Sequence, residues 1–341
     1  MLFSELILGI MKSIDGQRTV SSPYHLLKGK KSGQTIQDVG YFNLHAYFAL
    51  FPKLDKALYD QEIAALENDG FLVKGTDMIQ LTDKSRTVFS MQSCLDGWKY
   101  RGKETLFFKR LSLIVQTFSH ATHKIRRFDP VQTEEDVQRW VKRYLSMISF
   151  REAGVAESFK QELFASMIAV QLPDAGKQVV MNRLSGFQVS GLTWLQIATS
   201  TGLKPLDVQL SGVETLHGWM REIERGNYPL LLPLLENITQ QSAMTESAVH
   251  TKRLFEQGLS LEEIAVRRTL KTSTIEDHFV EMAINDPSFD FRPFIPVPLY
   301  EQIISTSKLT QSKRLRDIKE HLPEAGYFQI RLALATQGGA K

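Results

Sequence analysis

The sequence contains a single cysteine, Cys94, among its 341 residues. One cysteine excludes an intramolecular disulfide and every all-cysteine zinc site, and it indicates a reducing compartment. An excess of one charge is also missing, because 41 Lys and Arg residues face 38 Asp and Glu residues, a net charge of +3. The chain therefore lacks a global positive field for nucleic acid, and any such contact must come from local basic patches.

Long apolar runs are scarce as well. None approaches the roughly 20 residues that a membrane span requires. Apolar residues near the N-terminus recur at spacings of three and four, are interrupted by Glu5 and follow no basic leader. That pattern predicts an amphipathic helix rather than a signal sequence. With 43% hydrophobic residues, the chain can bury the cores of two or three domains, and we expect a cytoplasmic globular protein with no membrane contact.

Catalytic signatures do not stand out. Residues 29–32 lack the upstream glycine and the strand of a phosphate-binding loop. His120 and His123 have a ligand-like spacing, but no Cys or carboxylate nearby completes a metal site, so we expect two surface histidines. The prediction is a non-enzyme with no cofactor, no metal and no small-molecule substrate. A hydrolase in the helical middle is an alternative that a pocket with perturbed acids would reveal.

The predicted fold class is mainly α, with several modules. In residues 1–92, a helical pattern ends at Gly70 and two short apolar segments flank a turn at 74–77. Helices followed by a two-stranded wing are typical of a winged-helix unit, and the alternative is a hairpin that caps a core. Residues 93–241 form a predicted helical middle domain, and a polar run at 239–242 leads to a C-terminal domain at 242–341.

Two short capped helices are predicted at residues 260–279, SLEEIAVRRTLKTSTIEDHF. Ser260 with Glu263, and Ser273 with Glu276, have the spacing of capping boxes. Ile275 starts the buried stripe of the second helix. After a helix near 247–257, this pattern predicts a trihelical helix-turn-helix. Residues 192–208 repeat the pattern without gaps, which predicts a second helix-turn-helix-like unit near 192–216.

Whether this helix-turn-helix reads DNA depends on the exposed face of its second helix. Ser273 and Thr274 suit base edges and phosphates, and Arg267 and Arg268 precede them. Glu276, Asp277 and Glu281 lie on the same face, and their negative charges would repel a polyanion such as DNA. We therefore assign Arg267, Arg268, Ser273 and Thr274 to DNA contact, and Asp277 and Glu281 to contact with a basic protein partner. A helix-turn-helix used only for packing is an equally weighted alternative.

The strongest basic cluster lies in the middle domain, at Lys124, Arg126 and Arg127. We assign these three residues to phosphate contact. Further basic and aromatic residues surround them: Lys99, Arg101, Lys103, Lys109, Arg110, Arg139, Lys142 and Arg143, with Trp98, Tyr100, Phe107 and Phe108. Smaller clusters comprise Lys308, Lys313, Arg314, Arg316 and Lys319, and Lys28, Lys30 and Lys31. Solvated charges on amphipathic helices are the alternative for each cluster.

Three segments together resemble the YpbB-like proteins of Gram-positive bacteria. They are YHLLKGKKSGQTIQDV at 24–39, TKRLFEQGLSLEEIAVRRTLKTSTIEDHFVEMA at 251–283 and RLRDIKEHLPEAGYFQIRLALA at 314–335. The resemblance extends over the whole chain, and Gly326 departs from the family's small polar residue before its Tyr-Phe pair. YpbB-like proteins carry a helicase-associated helix-turn-helix domain, similar to one at the C-terminus of some RecQ-type helicases.

The resemblance implies a non-catalytic accessory factor of DNA repair or recombination. Its expected partners are a RecQ-type DNA helicase and DNA that is bound weakly or without sequence preference. The alternative from another class is a sequence-specific transcriptional regulator that uses the helix-turn-helix at 260–279. Preference for one duplex would favour the regulator, whereas weak binding with a steep salt dependence would favour the accessory factor.

Overall fold

The computed structural model describes residues 3–74, 78–86, 93–239, 244–286, 288–310 and 314–338. Helices dominate these residues, and the sheet among them has two strands. The predicted mainly α fold is therefore confirmed. The chain forms two compact units. The first contains the described residues of Met1–Leu6 and Met91–Gln240, and the second contains those of Ile7–Ser90 and Gln241–Lys341.

The N-terminal segment combines five helices and a hairpin. The elements are α1 Phe3–Ile14, α2 Ser21–Leu27, α3 Gly33–Tyr41, α4 Lys56–Asn68, β1 Leu72–Lys74, β2 Ile79–Leu81 and α5 Asp83–Arg86. The apolar residues of α1 are buried, as its spacing predicts. Strands β1 and β2 pair antiparallel with Leu72 opposite Leu81. The hairpin is thus present, residues 75–77 of the expected turn lie outside the described residues, and the winged-helix assignment stays a prediction.

The middle segment contains seven α-helices, which pack around a main apolar core and a smaller apolar cluster. They are α6 Gly97–Tyr100, α7 Glu104–Thr122, α8 Glu135–Met147, α9 Val155–Ala169, α10 Asp174–Met181, α11 Trp194–Thr201 and α12 Pro205–Arg225. Trp219 of α12 is fully buried and meets Phe107 of α7 edge-on at 5.6 Å. Its indole nitrogen donates a hydrogen bond of 2.8 Å to Ser166 of α9. Three helices are thereby fixed around one aromatic side chain.

The C-terminal segment contains six helices. They are α13 Glu246–Glu256, α14 Leu261–Arg268, α15 Thr272–Asn285, α16 Val297–Thr310, α17 Leu315–His321 and α18 Tyr327–Gly338. Helix α18 packs against α3, α15, α16 and α17. Ile330, Leu332, Ala333 and Ala335 are fully buried. A helix that is apolar on most of its circumference belongs at the centre of a fold, and α18 is the central helix of the second unit.

The sequence predicts separate domains at residues 1–92 and 242–341. In the structure, described residues of both regions lie in the second unit, because α3 packs against α15 and α18. The first unit begins its main segment at Met91 and ends it at Gln240, close to the predicted 93–241. The three-domain division remains a prediction. Among the helices described, none combines the length and the hydropathy needed to cross a bilayer.

Candidate nucleic-acid interface

Helices α13, α14 and α15 form the predicted trihelical helix-turn-helix. Ser260 and Glu263 form a complete capping box at the start of α14. Ile264 and Ile275 are fully buried in a shared apolar cluster. The second expected capping box is wrong, since α15 starts after Lys271 and no side chain caps it. Local spacing therefore predicts the helices correctly and one of the two caps.

Helix α15, which would enter a DNA groove, is covered by α3. Two glycines on α3 permit the contact. A Cβ at Gly33 would lie 2.5 Å from the carboxyl carbon of Asp277, and a Cβ at Gly40 would lie 2.8 Å from Cγ2 of Ile284. Both contacts are seven residues apart on each helix, so α3 and α15 run side by side in the same direction. Helix α18 packs against α15 as well.

This packing overturns the predicted exposure of the acidic face of α15. Glu281 is 4% exposed, and its Oε2 accepts a hydrogen bond of 2.9 Å from the hydroxyl of Thr245 before α13. Asp277 is half-buried and forms an ion pair with Arg331 of α18. Burial also raises the pKa of the neighbouring Glu276. Sequence spacing placed these acids on a free face because it contained no information about α3 and α18.

The residues assigned to DNA contact on this domain differ in their surroundings. Arg267 and Ser273 are exposed, and Thr274 is half-buried. Arg268 donates hydrogen bonds to the carbonyl of Ser247 at 2.8 Å and to its hydroxyl at 2.9 Å. A guanidinium so engaged ties α14 to α13 and is less available to a phosphate.

A buried polar cluster lies beside Arg268. His278 of α15 is 7% exposed, and its Nδ1 is 2.8 Å from the hydroxyl of Thr251, which also accepts from Arg268. Burial, followed by the positive charge of Arg268, lowers the pKa of His278 to about 4. The imidazole is therefore neutral at physiological pH, and this cluster is part of the fold rather than a free surface.

The repeated pattern in the middle segment also forms the predicted helices. Thr193 and Gln196 form a complete capping box at α11, and Gly202 ends that helix with a φ of 69°. Thr269, at the matching position after α14, has a φ of 53°. In α12, which corresponds to α15, Val208 and Leu210 are fully buried. The second helix of each helix-turn-helix, α12 or α15, therefore serves as a packing element.

Most of the basic and aromatic residues expected around the middle cluster are structural. Trp98, Tyr100, Phe107 and Phe108 are all buried and are not available to stack on bases. Lys99 pairs with Glu224, Lys109 pairs with Glu134, and Arg143 pairs with Glu236. Arg110 is buried and donates to the carbonyl of Leu234 at 3.0 Å. Amphipathic spacing in the sequence does not show which of these basic side chains have partners in the fold and which are free.

The three cations assigned to phosphate contact lie together in the loop after α7. Lys124, Arg126 and Arg127 are exposed. In the part of the chain that the structure describes, none of the three has an acidic partner within ion-pair distance. The base of the loop is fixed by His120, which stacks on Phe128 at 4.4 Å between ring centroids. His120 is buried, contrary to the predicted surface position, and the basic loop follows at the end of α7.

A cleft of about 910 Å³ opens beside this loop. Its apolar floor contains Leu113, Val141 and Leu145, and its rim contains basic and polar side chains. The basic ones are Arg126, Arg127, Lys142 and Arg151, and Glu152 is the acidic one. Arg151 lies outside the basic clusters that the sequence pattern predicts. The chain reverses at Ser149, a non-glycine residue with a φ of 49°, and no local sequence signal marks that reversal.

Several basic residues of the smaller clusters make contacts within the fold. Arg314 donates to the carbonyl of Gly16 at 2.6 Å, and Arg316 pairs with Glu320 at 3.0 Å. Lys319 donates to the carbonyl of Ala325 at 2.8 Å. Lys313 lies outside the described residues. In the N-terminal cluster, Lys28 lies 5.5 Å from the ring centroid of Tyr24.

One buried pair in the first unit, His217 and Glu104, has the histidine–carboxylate chemistry that enzymes use in acid–base catalysis. His217 and Glu104 are both buried, with 3.4 Å between Nε2 and Oε2. The other ring nitrogen, Nδ1, accepts from the backbone of Asp96 at 3.0 Å. The imidazole is thereby satisfied on both sides, which indicates a structural role. No cluster of three or more metal-ligating side chains occurs within the described ranges.

Comparison with known proteins places this architecture in a family. Residues 247–334 match the family described as "Helix-turn-helix domain". Protein YpbB of Bacillus subtilis (strain 168) is 30% identical to the chain over 347 residues, which cover 98% of this chain and 97% of YpbB. No solved structure matches the chain. Helix-turn-helix domains are a widespread DNA-binding motif, so the domain match suggests DNA binding. The extent of the match, together with the resemblance visible in the sequence, shows that the chain belongs to the YpbB family.

Proposed function

We propose that the protein is a non-catalytic accessory factor that binds DNA without sequence preference and acts with a RecQ-type DNA helicase in repair or recombination. The family resemblance supports the helicase partnership. The helix-turn-helix domain supports DNA binding in general. The location of the contact is inferred from the distribution of unpaired charge.

The observation that carries the proposal is the basic loop of the first unit, defined as Lys124, Arg126 and Arg127. These cations are exposed and have no acidic partner among the described residues, although nearby Lys109 and Arg143 are paired. Cations without intramolecular partners contribute fully to the release of counterions from DNA. We therefore assign the main phosphate contact to this loop.

The helix-turn-helix has a secondary role in this proposal. Helix α15 is covered by α3 and α18, and its fully exposed positions are Thr272 and Ser273 at its beginning. Arg267, Ser273 and the half-buried Thr274 form a small additional contact for a phosphate backbone. Arg268 positions α13 against α14. The ion pair of Asp277 with Arg331 and the burial of Glu281 argue against the predicted partner contact.

The alternative of a sequence-specific regulator requires α15 to enter a major groove. A groove-reading helix contacts base edges with several successive exposed positions. In this chain the positions after Thr274 face α3, α18 and the core. A regulator would lose its binding to a preferred duplex on Ser273→Ala or Thr274→Ala, whereas our proposal predicts little effect of either substitution.

The test is a fluorescence-anisotropy titration of the full chain against single-stranded, duplex and forked DNA at several salt concentrations. We expect weak binding with a steep salt dependence and little preference among sequences. The double variant Arg126→Ala and Arg127→Ala should reduce the log–log salt slope for single strands by about 1.4, since each phosphate contributes about 0.7. A matched control is Arg225→Ala, which removes one exposed cation from the end of α12 in the same unit.

Adding a RecQ-type helicase to the same titration tests the partnership. The proposal predicts that the ternary complex binds forked DNA more tightly than either protein alone, because two linked sites act on one molecule. Binding to DNA that is unchanged by the helicase, without co-migration of the two proteins, would contradict the partnership and leave the DNA contact intact. Tight binding to a single duplex sequence would favour the regulator.

A further inference from the structure

The unpaired cations of the first unit converge on one cleft. Helix α8 carries three cations on its exposed side, and they differ in their partners. Arg139 pairs with Asp136 at 3.1 Å, and Arg143 pairs with Glu236 at 3.1 Å. Lys142 has no ion pair with any described residue, and it is the one that lines the cleft. The same holds for Arg126 and Arg127 on the opposite rim.

Arg151 completes the basic rim. It is exposed, and its guanidinium lies 5.0 Å from the ring centroid of Phe150, which also lines the cleft. Four basic side chains on the rim therefore face one acidic side chain, Glu152. Within the described residues, none of the four cations is neutralised by an ion pair. Such an excess of unpaired positive charge favours an anionic ligand.

The floor of the cleft is apolar and favours a ligand that has an apolar group as well as an anion. Leu113, Val141 and Leu145 form an apolar base, and the rings of Phe128 and Phe150 lie at its sides, both half-buried. The volume of about 910 Å³ lies within the range of pockets that enclose small organic molecules. A flat apolar group that carries an anion on one side matches both halves of the cleft.

We infer that the cleft binds an unpaired nucleotide of single-stranded DNA, with the base on the apolar floor and the flanking phosphates on Arg126, Arg127, Lys142 and Arg151. This inference rests on the proposed function and refines it from DNA in general to an unpaired strand. In a duplex, the base is stacked and paired and does not reach the floor. Stacking of a base on an aromatic side chain strengthens binding by about five- to a hundredfold.

The experiment compares two fluorescent probes of equal length and charge, a ten-nucleotide thymidine oligomer and the same oligomer with abasic sites throughout. We expect the full chain to bind the thymidine oligomer about tenfold more tightly. Ser146→Trp places an indole in the cleft without removing a cation, since Ser146 is an exposed lining residue. This variant should reduce the ratio of the two affinities to about one. Met147→Trp is the matched control, because Met147 is exposed on the same helix and does not line the cleft.

Substitutions of the rim cations distinguish the nucleotide in the cleft from the more general DNA contact. Lys142→Ala should weaken binding of both probes by about fourfold at 0.15 M salt, whereas Arg225→Ala should not. Equal affinity for both probes, with both weakened by Arg126→Ala, would overturn the nucleotide in the cleft but retain the proposed DNA contact. Binding of neither probe at low salt would overturn both. Binding of an Asp-rich peptide ending in Phe, abolished by Ser146→Trp and not displaced by the thymidine oligomer, would assign the cleft to a protein segment and overturn the inference.

Discussion

At the scale of single residues, the two helix-turn-helix units carry different residues at the position that follows the first helix. Gly202 and Thr269 both adopt positive φ after the first helix. A β-branched residue is strained in this conformation by about 1 to 2 kcal/mol, whereas glycine is not. We expect Thr269→Gly to stabilise the second unit by about 1 kcal/mol. Gly202→Ala should destabilise the first unit by a similar amount, because alanine is strained at this positive φ. The added Cβ meets no other atom within 4 Å, so the backbone strain is the whole cost. Urea denaturation of the full chain measures both, with Thr269→Ala as the control that keeps the strain.

His278 gives a second prediction at the residue scale, for the pH dependence of stability. Its pKa is lowered to about 4 in the folded chain and rises to about 6.5 on unfolding. The unfolded state therefore binds a proton that the folded state does not between these values, and the free energy of unfolding falls as the pH drops through this window. Between pH 7.5 and pH 5, His278→Gln should reduce that loss by an amount on the order of 1 kcal/mol. His250→Gln, at an exposed position of α13, is the control for replacing a histidine elsewhere in the same unit.

At the scale of elements, the cover of α3 on α15 depends on close approach at glycine. In an exposed helix, Gly→Ala stabilises by about 1 kcal/mol. At Gly40 the added Cβ would lie 2.8 Å from Cγ2 of Ile284, so we expect Gly40→Ala to destabilise the unit instead. In a double-mutant cycle, Ile284→Ala should remove most of the cost of Gly40→Ala. A gain in stability from Gly40→Ala alone would show that α3 does not pack against α15 as described.

At the scale of the whole molecule, the sequence predicts local features better than distant ones. The capping box at Ser260 is correct and is defined within four residues, whereas the equally local box expected at Ser273 is absent. The burial of Glu281 and of the aromatic residues Tyr100 and Phe107 was missed because their neighbours are distant in the sequence. Gly33 and Asp277 are 244 positions apart, and no periodicity connects them. The basic loop was found from composition, whereas the cleft beside it requires the reversal at Ser149.

The organisation of the units can be tested by expression in pieces. Residues 242–341 contain the helix-turn-helix, but Ile36 and Val39 of α3 belong to the buried core of the second unit. We expect this fragment to be largely unfolded alone, as judged by circular dichroism and proteolysis, and to gain protection when residues 1–92 are co-expressed. Cooperative unfolding of the isolated fragment would instead support the three-domain division predicted from the sequence.

In the proposed complex, DNA contacts the basic loop and its cleft rather than the covered helix α15. The most direct measurement is photo-crosslinking of the full chain to single-stranded DNA that carries 4-thiothymidine, with the linked peptides mapped by mass spectrometry. We expect crosslinks within residues 124–128 and 142–151 that disappear in the Arg126→Ala and Arg127→Ala double variant. Crosslinks concentrated on residues 272–281, unaffected by that variant, would contradict the account and return the contact to the helix-turn-helix.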